Sequence, residues 1–229
     1  NDSPNNPTAD LVNPKLSLSA SISRPYRTLT ITANELGNVW MNSWGGNVNQ
    51  FTSAYSTEYS LQLNNDFNST IWNNIFVQTA NLQNIIDFES VEYDNHKAIA
   101  KIMKTYYFQY LVDLYGDIPY SEAHDATNLN PKYDDDKAIY RSLYAQLDEA
   151  IALMNAAPVT TIAVGDEDPI FFGDMDMWKK LANTLKLKLL IRESVHAQSN
   201  SDSATYLTQK FASLATASFI TSDVIINPG

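Results

Sequence analysis

The sequence predicts an all-α fold made of helical hairpins, and three observations support this prediction. Apolar residues recur at spacings of three and four along most of the chain, as on the buried face of a helix. Strand-like runs are confined to 219–221 and 224–226 near the end. Two successive helix pairs have about the size of a tetratricopeptide unit, which favours a repeat-like stack. We expect one domain over 1–229, with 1–10 as an extended leader.

The first third of the chain has the weakest periodicity. Thr8 is a candidate cap for a short first helix. A second helix is predicted to start near Pro25, a residue type suited to a first turn, and to end at Gly45–Gly46 after Trp44. Residues 47–67 are rich in Asn, Gln, Ser, Thr and Tyr and show no strong period, so we predict a long loop there.

Clear amphipathic helices follow this loop. Their predicted ranges are 69–93, 95–115, 136–157 and 174–197, with a shorter helix capped by Ser201 or Asp202. Ser69 is the predicted cap of the first of these helices. Gly116 stands where a left-handed residue ends the second helix, and Pro119 prevents its continuation.

The composition excludes several classes of function. The formal net charge is −11 and the isoelectric point is about 4.5, which argues against nucleic acid and against an anionic membrane surface as partners. The chain has no cysteine, so thiolate metal sites, thiol catalysis and disulfides are excluded. No apolar run approaches the roughly 18 residues that a membrane-spanning helix needs.

The sequence contains no recognisable catalytic motif. The three histidines lack metal-ligand spacing, and no nucleophile elbow or glycine-rich phosphate loop occurs. The acidic clusters at 134–136 and 166–168 are interpreted as helix capping and solvated loop charge. Calcium binding is an alternative for these loop acids, although it would need six or more oxygen ligands. We therefore expect a binding protein rather than an enzyme, without a cofactor or a metal.

The segment 38–59 is the best candidate for ligand contact because it combines aromatic and amide side chains. Sugars offer apolar C–H faces and rings of hydroxyl groups, so flat aromatic rings and amide hydrogen bonds suit them. The candidate ligand-binding residues are Asn42, Trp44, Asn47 and Tyr55. Trp40 is predicted to belong to the core of its helix, and for Trp44 both the core and the ligand interpretation stay open.

One stretch resembles a known family. The run YYFQYLVDLYGDIPYSEA at 106–123 resembles the SusD/RagB outer-membrane lipoproteins of Bacteroidetes, in which an aromatic-rich helix ends in a Y-G-D-[IV]-P motif. The run WKKLANTLKLK at 178–188 looks like a second motif of the SusD-like branch. The resemblance extends over nearly the whole chain.

The resemblance implies a fold and a function. The implied fold is a right-handed superhelix of tetratricopeptide units with long loops. The implied protein is a lipid-anchored lipoprotein on the extracellular face of the outer membrane, although the anchoring cysteine is missing from this sequence. It would capture a glycan and deliver it to a SusC-like TonB-dependent transporter. Family members are about twice as long, so we expect this chain to be an N-terminal half.

Three alternatives stay open at this point. RagB-like members handle oligopeptides, so the chain could be the peptide-binding lid of a RagAB-type importer. It could also be a scaffold that contacts only the transporter. A hydrolase is the least favoured alternative, because no catalytic motif supports it.

Overall fold

The computed structural model describes residues 12–45, 55–125 and 127–227, and helices dominate these ranges. The α-helices are α1 (Pro14–Thr28), α2 (Asn34–Trp40), α3 (Ser56–Ser60), α4 (Ser69–Ile86), α5 (Asp94–Tyr115), α6 (Asp136–Ala156), α7 (Met175–Ala197) and α8 (Ser201–Leu214). A π-helical turn (Leu29–Ala33) joins α1 to α2, and a 3₁₀ turn (Val91–Tyr93) precedes α5. Strands β1 (Ile118–Pro119) and β2 (Tyr133–Asp134) form an antiparallel pair.

Helices α1 and α2 are almost continuous, so the predicted start of a new helix at Pro25 was wrong. Asn13 caps the helix by accepting a hydrogen bond from the Leu16 amide at 3.1 Å, and Pro14 occupies the first turn. Pro25 lies inside α1, where it removes one helical hydrogen bond. The chain stays helical because α1 packs against α4 and α5, burying Leu18 and Ile22 completely. Thr8, the predicted cap, lies outside the described residues.

The hydrophobic core is shared by successive helices. Helix α4 packs against α1 and α5, and α6 packs against α5 and α7. Helix α5 is central, and its buried face includes Ile99, Ile102, Tyr107 and Leu111. The predicted ranges of α5, α6 and α7 agree with the structure to within about one residue. Apolar spacing located these helices correctly because α6 and α7 each bury one face and α5 is surrounded by its neighbours on most sides.

Two predictions for α4 were wrong at its ends. Helix α4 stops at Ile86 rather than near residue 93, because the chain turns there and resumes as the 3₁₀ turn. Its N-cap is Asn68, in the left-handed conformation with φ 49°, rather than Ser69. Asn tolerates that conformation better than most residues, which explains why it precedes the first turn.

The segment after α5 reverses the chain. Gly116 has φ 73°, and β1 follows it directly. The Asp117 carboxylate accepts a hydrogen bond from the Asp136 amide at 3.0 Å, and Asp134 accepts from the Ser121 amide at 2.7 Å. The motif is therefore a helix end fastened to the start of α6. The short strands themselves were not predicted, because two residues carry no detectable alternation.

The chain after α8 also departs from the prediction. Residues 219–221 and 224–226 pair with no strand in the described structure, and the Asn227 amide instead donates to the Pro169 carbonyl at 2.8 Å. Asn200 caps α8, rather than Ser201 or Asp202, by accepting from the Ser203 amide at 2.9 Å. Within the described ranges, no helix combines the length and hydropathy needed to cross a membrane. The all-α fold of tetratricopeptide-like hairpins is confirmed.

Candidate functional site

Three of the four predicted ligand residues lie between α2 and α3. Asn42 is exposed, with φ 55°, two residues after α2 ends. Trp44 follows with 43% of its surface exposed, and Tyr55 immediately precedes α3. Asn47 lies outside the described residues. Trp44 is therefore a surface residue, which removes the core interpretation left open for it.

Trp40, predicted as a core residue, is instead half-exposed at the end of α2. It is 43% exposed, and its ring stacks on Phe67 with the ring centroids 5.7 Å apart and the planes 9° apart. The buried residues of α2 are instead Leu36 and Val39. Trp40 follows Val39 directly, so it points away from that face of the helix.

Tyr59 connects Trp44 to α3. Its hydroxyl donates to the Trp44 carbonyl at 3.0 Å, and its ring meets the Tyr55 ring edge to face at 6.2 Å. The Tyr55 side chain in turn hydrogen-bonds the Glu35 carboxylate on α2, and this bond raises the pKa of the Tyr55 hydroxyl. The five rings of Trp40, Trp44, Tyr55, Tyr59 and Phe67 are called the aromatic platform below.

Exposed aliphatic side chains border the aromatic platform. Met41 is 78% exposed, and Leu61 and Leu63 are similarly open to solvent. Single exposed apolar residues are ordinary, whereas a concentration beside two exposed tryptophans is typical of a binding surface. The contribution of Phe67 was missed by the sequence analysis, because Phe67 lies eight residues beyond the segment that was singled out.

A second aromatic group lies at the same end of α4. The Trp72 and Tyr133 rings stack with centroids 6.4 Å apart, and Tyr115 meets Trp72 edge to face at 5.0 Å. Tyr133 is the most exposed of the three, and Trp72 is only partly exposed. Tyr133 belongs to β2 and is distant from Trp72 in the sequence, so this contact could not be predicted from helical spacing.

A polar cavity of about 460 Å³ lies between α5, α6 and the end of α7. Its wall includes an ion pair in which Arg192 donates through Nε to Asp113 Oδ2 at 2.9 Å. Tyr140 donates to the same Asp113 carboxylate, and burial together with this bond raises its pKa to about 12. These groups satisfy one another, so the cavity wall is a structural brace that links three helices.

The carboxylates of the acidic cluster at the start of α6 accept hydrogen bonds from backbone amides. Carboxylate oxygens of Asp117, Asp135 and Asp136 lie within 4.8 Å of one another, and all three residues are exposed. Asp135 caps α6 by accepting from the Ala138 amide at 2.9 Å, and Asp117 accepts from the Asp136 amide. This geometry fits the predicted capping role.

The other acidic cluster contains a buried residue that was predicted to be solvated. Asp168 is completely buried and accepts hydrogen bonds from Trp178 Nε1 at 2.7 Å and from the amides of Ile170 and Gly173 at 3.0 Å. Beside it, Glu167 bonds the buried His96 at 3.0 Å. The burial of Asp168 was not predicted, because it depends on the Trp178 side chain and on a loop whose amides fold around the carboxylate.

Comparisons with known proteins agree with this fold. The solved structure of a chitin-binding protein is 27% identical to the chain with a TM-score of 0.69; the alignment covers 92% of this chain and 44% of that one. A SusD/RagB family protein from Bacteroides thetaiotaomicron is 23% identical with a TM-score of 0.71, covering 92% and 43%. A Bacteroidetes SusD-like protein is also 23% identical with a TM-score of 0.71, covering 94% and 39%.

The chain thus spans less than half the length of these solved structures. A search of curated proteins gave no match. A model of the SusD-like family, described as starch-binding and associating with the outer membrane, matches residues 9–223. Because that match extends over nearly all of the sequence, the chain belongs to the SusD-like family.

Proposed function

We propose that the chain is the glycan-capturing part of an outer-membrane lipoprotein, and that the aromatic platform is its contact surface. The observation that carries this proposal is the exposure of Trp40 and Trp44 together, with Trp40 stacked on Phe67 and the backbone of Trp44 bonded by Tyr59. The family description, starch-binding and associated with the outer membrane, supports it. A binding role accords with the absence of a catalytic motif from the sequence.

The platform suits a sugar for physical reasons. An aromatic face covers the C–H surface of a pyranose ring, and this burial contributes favourably because the ring is apolar on that side. The stacking on Phe67 holds the Trp40 ring, and the Tyr59 bond to the Trp44 carbonyl fixes the backbone at Trp44, before a ligand arrives. Such preorganisation lowers the entropic cost of binding. Asn42 and Tyr55 would supply the accompanying hydrogen bonds, and we retain Asn47 as a proposed contact.

Chitin-type glycans are the first ligands to examine. The relative with 27% identity is called a chitin-binding protein, and its likeness covers 92% of this chain. The family description names starch instead. We therefore propose a β-linked N-acetylglucosamine polymer as the ligand and α-glucan as the runner-up.

Delivery to a SusC-like TonB-dependent transporter is the remaining part of the proposal. It would place a lipid-anchored protein on the extracellular face of the outer membrane, with 1–229 as one domain. Copurification of the anchored, full-length protein with a transporter barrel is the expected result. Isolation of the intact lipoprotein without any such barrel would contradict this part and leave glycan binding standing.

Affinity electrophoresis can assign the class of ligand. Native gels containing glycol chitin, soluble starch or casein are compared with a gel without additive. Retardation by one polysaccharide is expected, because the platform offers stacking faces. Retardation by casein alone would favour the oligopeptide-binding alternative. Unchanged mobility in all gels would favour a scaffold that contacts only the transporter.

A further inference from the structure

The charges around the aromatic platform are of one sign. No lysine or arginine occurs between Arg27 and Lys97, whereas the same stretch carries seven carboxylates. Glu35 and Glu58 are the carboxylates that act on the Tyr55 hydroxyl of the platform, and Asp66 directly precedes Phe67. Glu35 accepts a hydrogen bond from the Tyr55 hydroxyl, and the charges of Glu35 and Glu58 both act on that hydroxyl.

The basic residues on neighbouring elements do not offset these charges. Arg27 precedes Trp40 by thirteen residues of nearly continuous helix, which is about 20 Å at 1.5 Å per residue. That separation exceeds the Debye length of about 10 Å at 0.1 M salt. On α5, Lys101 bonds Glu149 at 2.9 Å, and Lys104 bonds Gln83 on α4. Lys101 and Lys104 lie about 21 Å and 16 Å along α5 from its end at Tyr115, whose ring meets Trp72 near the start of α4.

Lys132 adjoins the second aromatic group. It precedes Tyr133, whose ring stacks on Trp72 near the start of α4. Its ammonium group lies 3.8 Å from carboxylates of both Glu122 and Asp134. Because one ammonium group is shared by two carboxylates, the net charge beside the second aromatic group is negative.

We propose that the aromatic platform selects glycans by charge: it takes neutral and amine-bearing sugars and rejects uronate-containing and sulphated ones, with Glu35 and Glu58 as the specificity-determining residues. This inference rests on the proposed function, because it concerns the ligand of the same platform. An anionic sugar seated on Trp40 or Trp44 would approach two carboxylates without a compensating cation. This like-charge repulsion weakens the binding of anionic glycans and leaves the binding of neutral glycans unaffected.

Matched hexasaccharides test the proposal. Calorimetric titrations compare chitohexaose, its fully deacetylated form with protonated amines, maltohexaose and hexagalacturonate at about 0.1 M salt, where a charge 20 Å away is screened. A neutral hexasaccharide is expected to bind, and hexagalacturonate is expected not to. The deacetylated form should bind on the order of two- to five-fold more tightly than chitohexaose, as two carboxylates at about 8 Å in water would provide. Salt at about 0.5 M should abolish this advantage.

Glu→Gln variants locate the effect. Glu35→Gln with Glu58→Gln keeps the side-chain shapes and the acceptor for Tyr55, and it should remove the preference for the amine form. Asp87→Asn is the matched control, because Asp87 lies at the far end of α4, about 27 Å from its start. The control should keep the preference.

The outcomes separate the two claims. Binding of hexagalacturonate as tightly as a neutral hexasaccharide would overturn charge selection while leaving glycan binding intact. An amine preference that persists in the double variant would overturn the role of Glu35 and Glu58. Binding of none of the four saccharides would overturn the proposed function, and charge selection with it.

Discussion

Asp168 shows how one buried carboxylate can organise a loop. Its two oxygens accept hydrogen bonds from three backbone amides and from Trp178 Nε1, so the loop before α7 closes around it. Trp178 is itself completely buried and meets Phe171 edge to face. The residue therefore connects a tryptophan of the core to the chain that leads into α7.

Asp168→Ala is expected to destabilise the protein by about 3–5 kcal/mol, because it leaves several buried donors without an acceptor. Chemical denaturation followed by circular dichroism measures this. Asp166→Ala is the matched control, since Asp166 is exposed in the same acidic run, and it should stay within about 0.5 kcal/mol of wild type. Equal effects of the two changes would contradict the anchoring role.

His124 makes the stability of the fold depend on pH. Burial and the nearby Lys104 charge lower its pKa from 6.5 to about 4. As pH falls below 6.5, the unfolded chain binds a proton that the folded chain does not, so stability is lost between about pH 6.5 and pH 4. His96, whose pKa is also lowered by burial, adds in the same direction.

His124→Gln should remove part of this acid sensitivity while keeping a polar partner for the Thr79 hydroxyl, which lies 3.2 Å from His124 Nε2. Between pH 7 and pH 4.5 the wild type is expected to lose about 1–2 kcal/mol more than the variant. Urea titrations at the two pH values measure the difference. Parallel losses in both proteins would show that His124 does not titrate as proposed.

At the scale of elements, apolar spacing predicted the long helices well and predicted their ends less well. Helices α6 and α7 bury one face that recurs in the sequence, and the central α5 is buried around most of its circumference while keeping apolar residues three and four apart, so all three were located correctly. The continuity of α1 and α2 through Pro25 could not be predicted, because it depends on burial against α4 and α5. The cap residues were wrong for α4 and α8, since neighbouring polar residues compete for that position.

The turn that ends α5 can be tested by substituting Gly116, with Gly37 in α2 as the control. Gly116 adopts φ 73° and ψ −123°, a region that residues with a side chain rarely enter. A Cβ there would meet nothing within 4 Å, so the expected cost of Gly116→Ala is conformational, about 1–3 kcal/mol. Thermal unfolding measures this cost.

Gly37→Ala is the control. Gly37 lies inside α2 with open space around its missing side chain, so alanine should stabilise the protein by about 0.5–1 kcal/mol. The two substitutions should therefore change the stability of the protein in opposite directions. If Gly116→Ala were also neutral or stabilising, the Y-G-D-I-P segment would not depend on that backbone conformation.

At the scale of the whole molecule, family and fold could be predicted because the motifs at 106–123 and 178–188 record how helices end and pack. The ligand surface could be predicted only in part. Trp44 and Tyr55 came from composition, whereas the exposure of Trp40 and its stacking on Phe67 depend on the path of the chain between α2 and α4. The tethering of Tyr59 to the Trp44 carbonyl likewise joins residues that are fifteen positions apart.

The central claim is that the aromatic platform binds a glycan, and calorimetric titration with chitohexaose, or with maltohexaose if starch is the ligand, tests it most directly. The wild-type chain is compared with Trp40→Ala, Trp44→Ala and the control Phe211→Ala, which removes a partly exposed ring on α8. Each tryptophan change should weaken binding about five-fold or more, since a lost stacking contact is worth about 1–3 kcal/mol, and Phe211→Ala should bind like wild type. Undiminished affinity in both tryptophan variants would contradict the account.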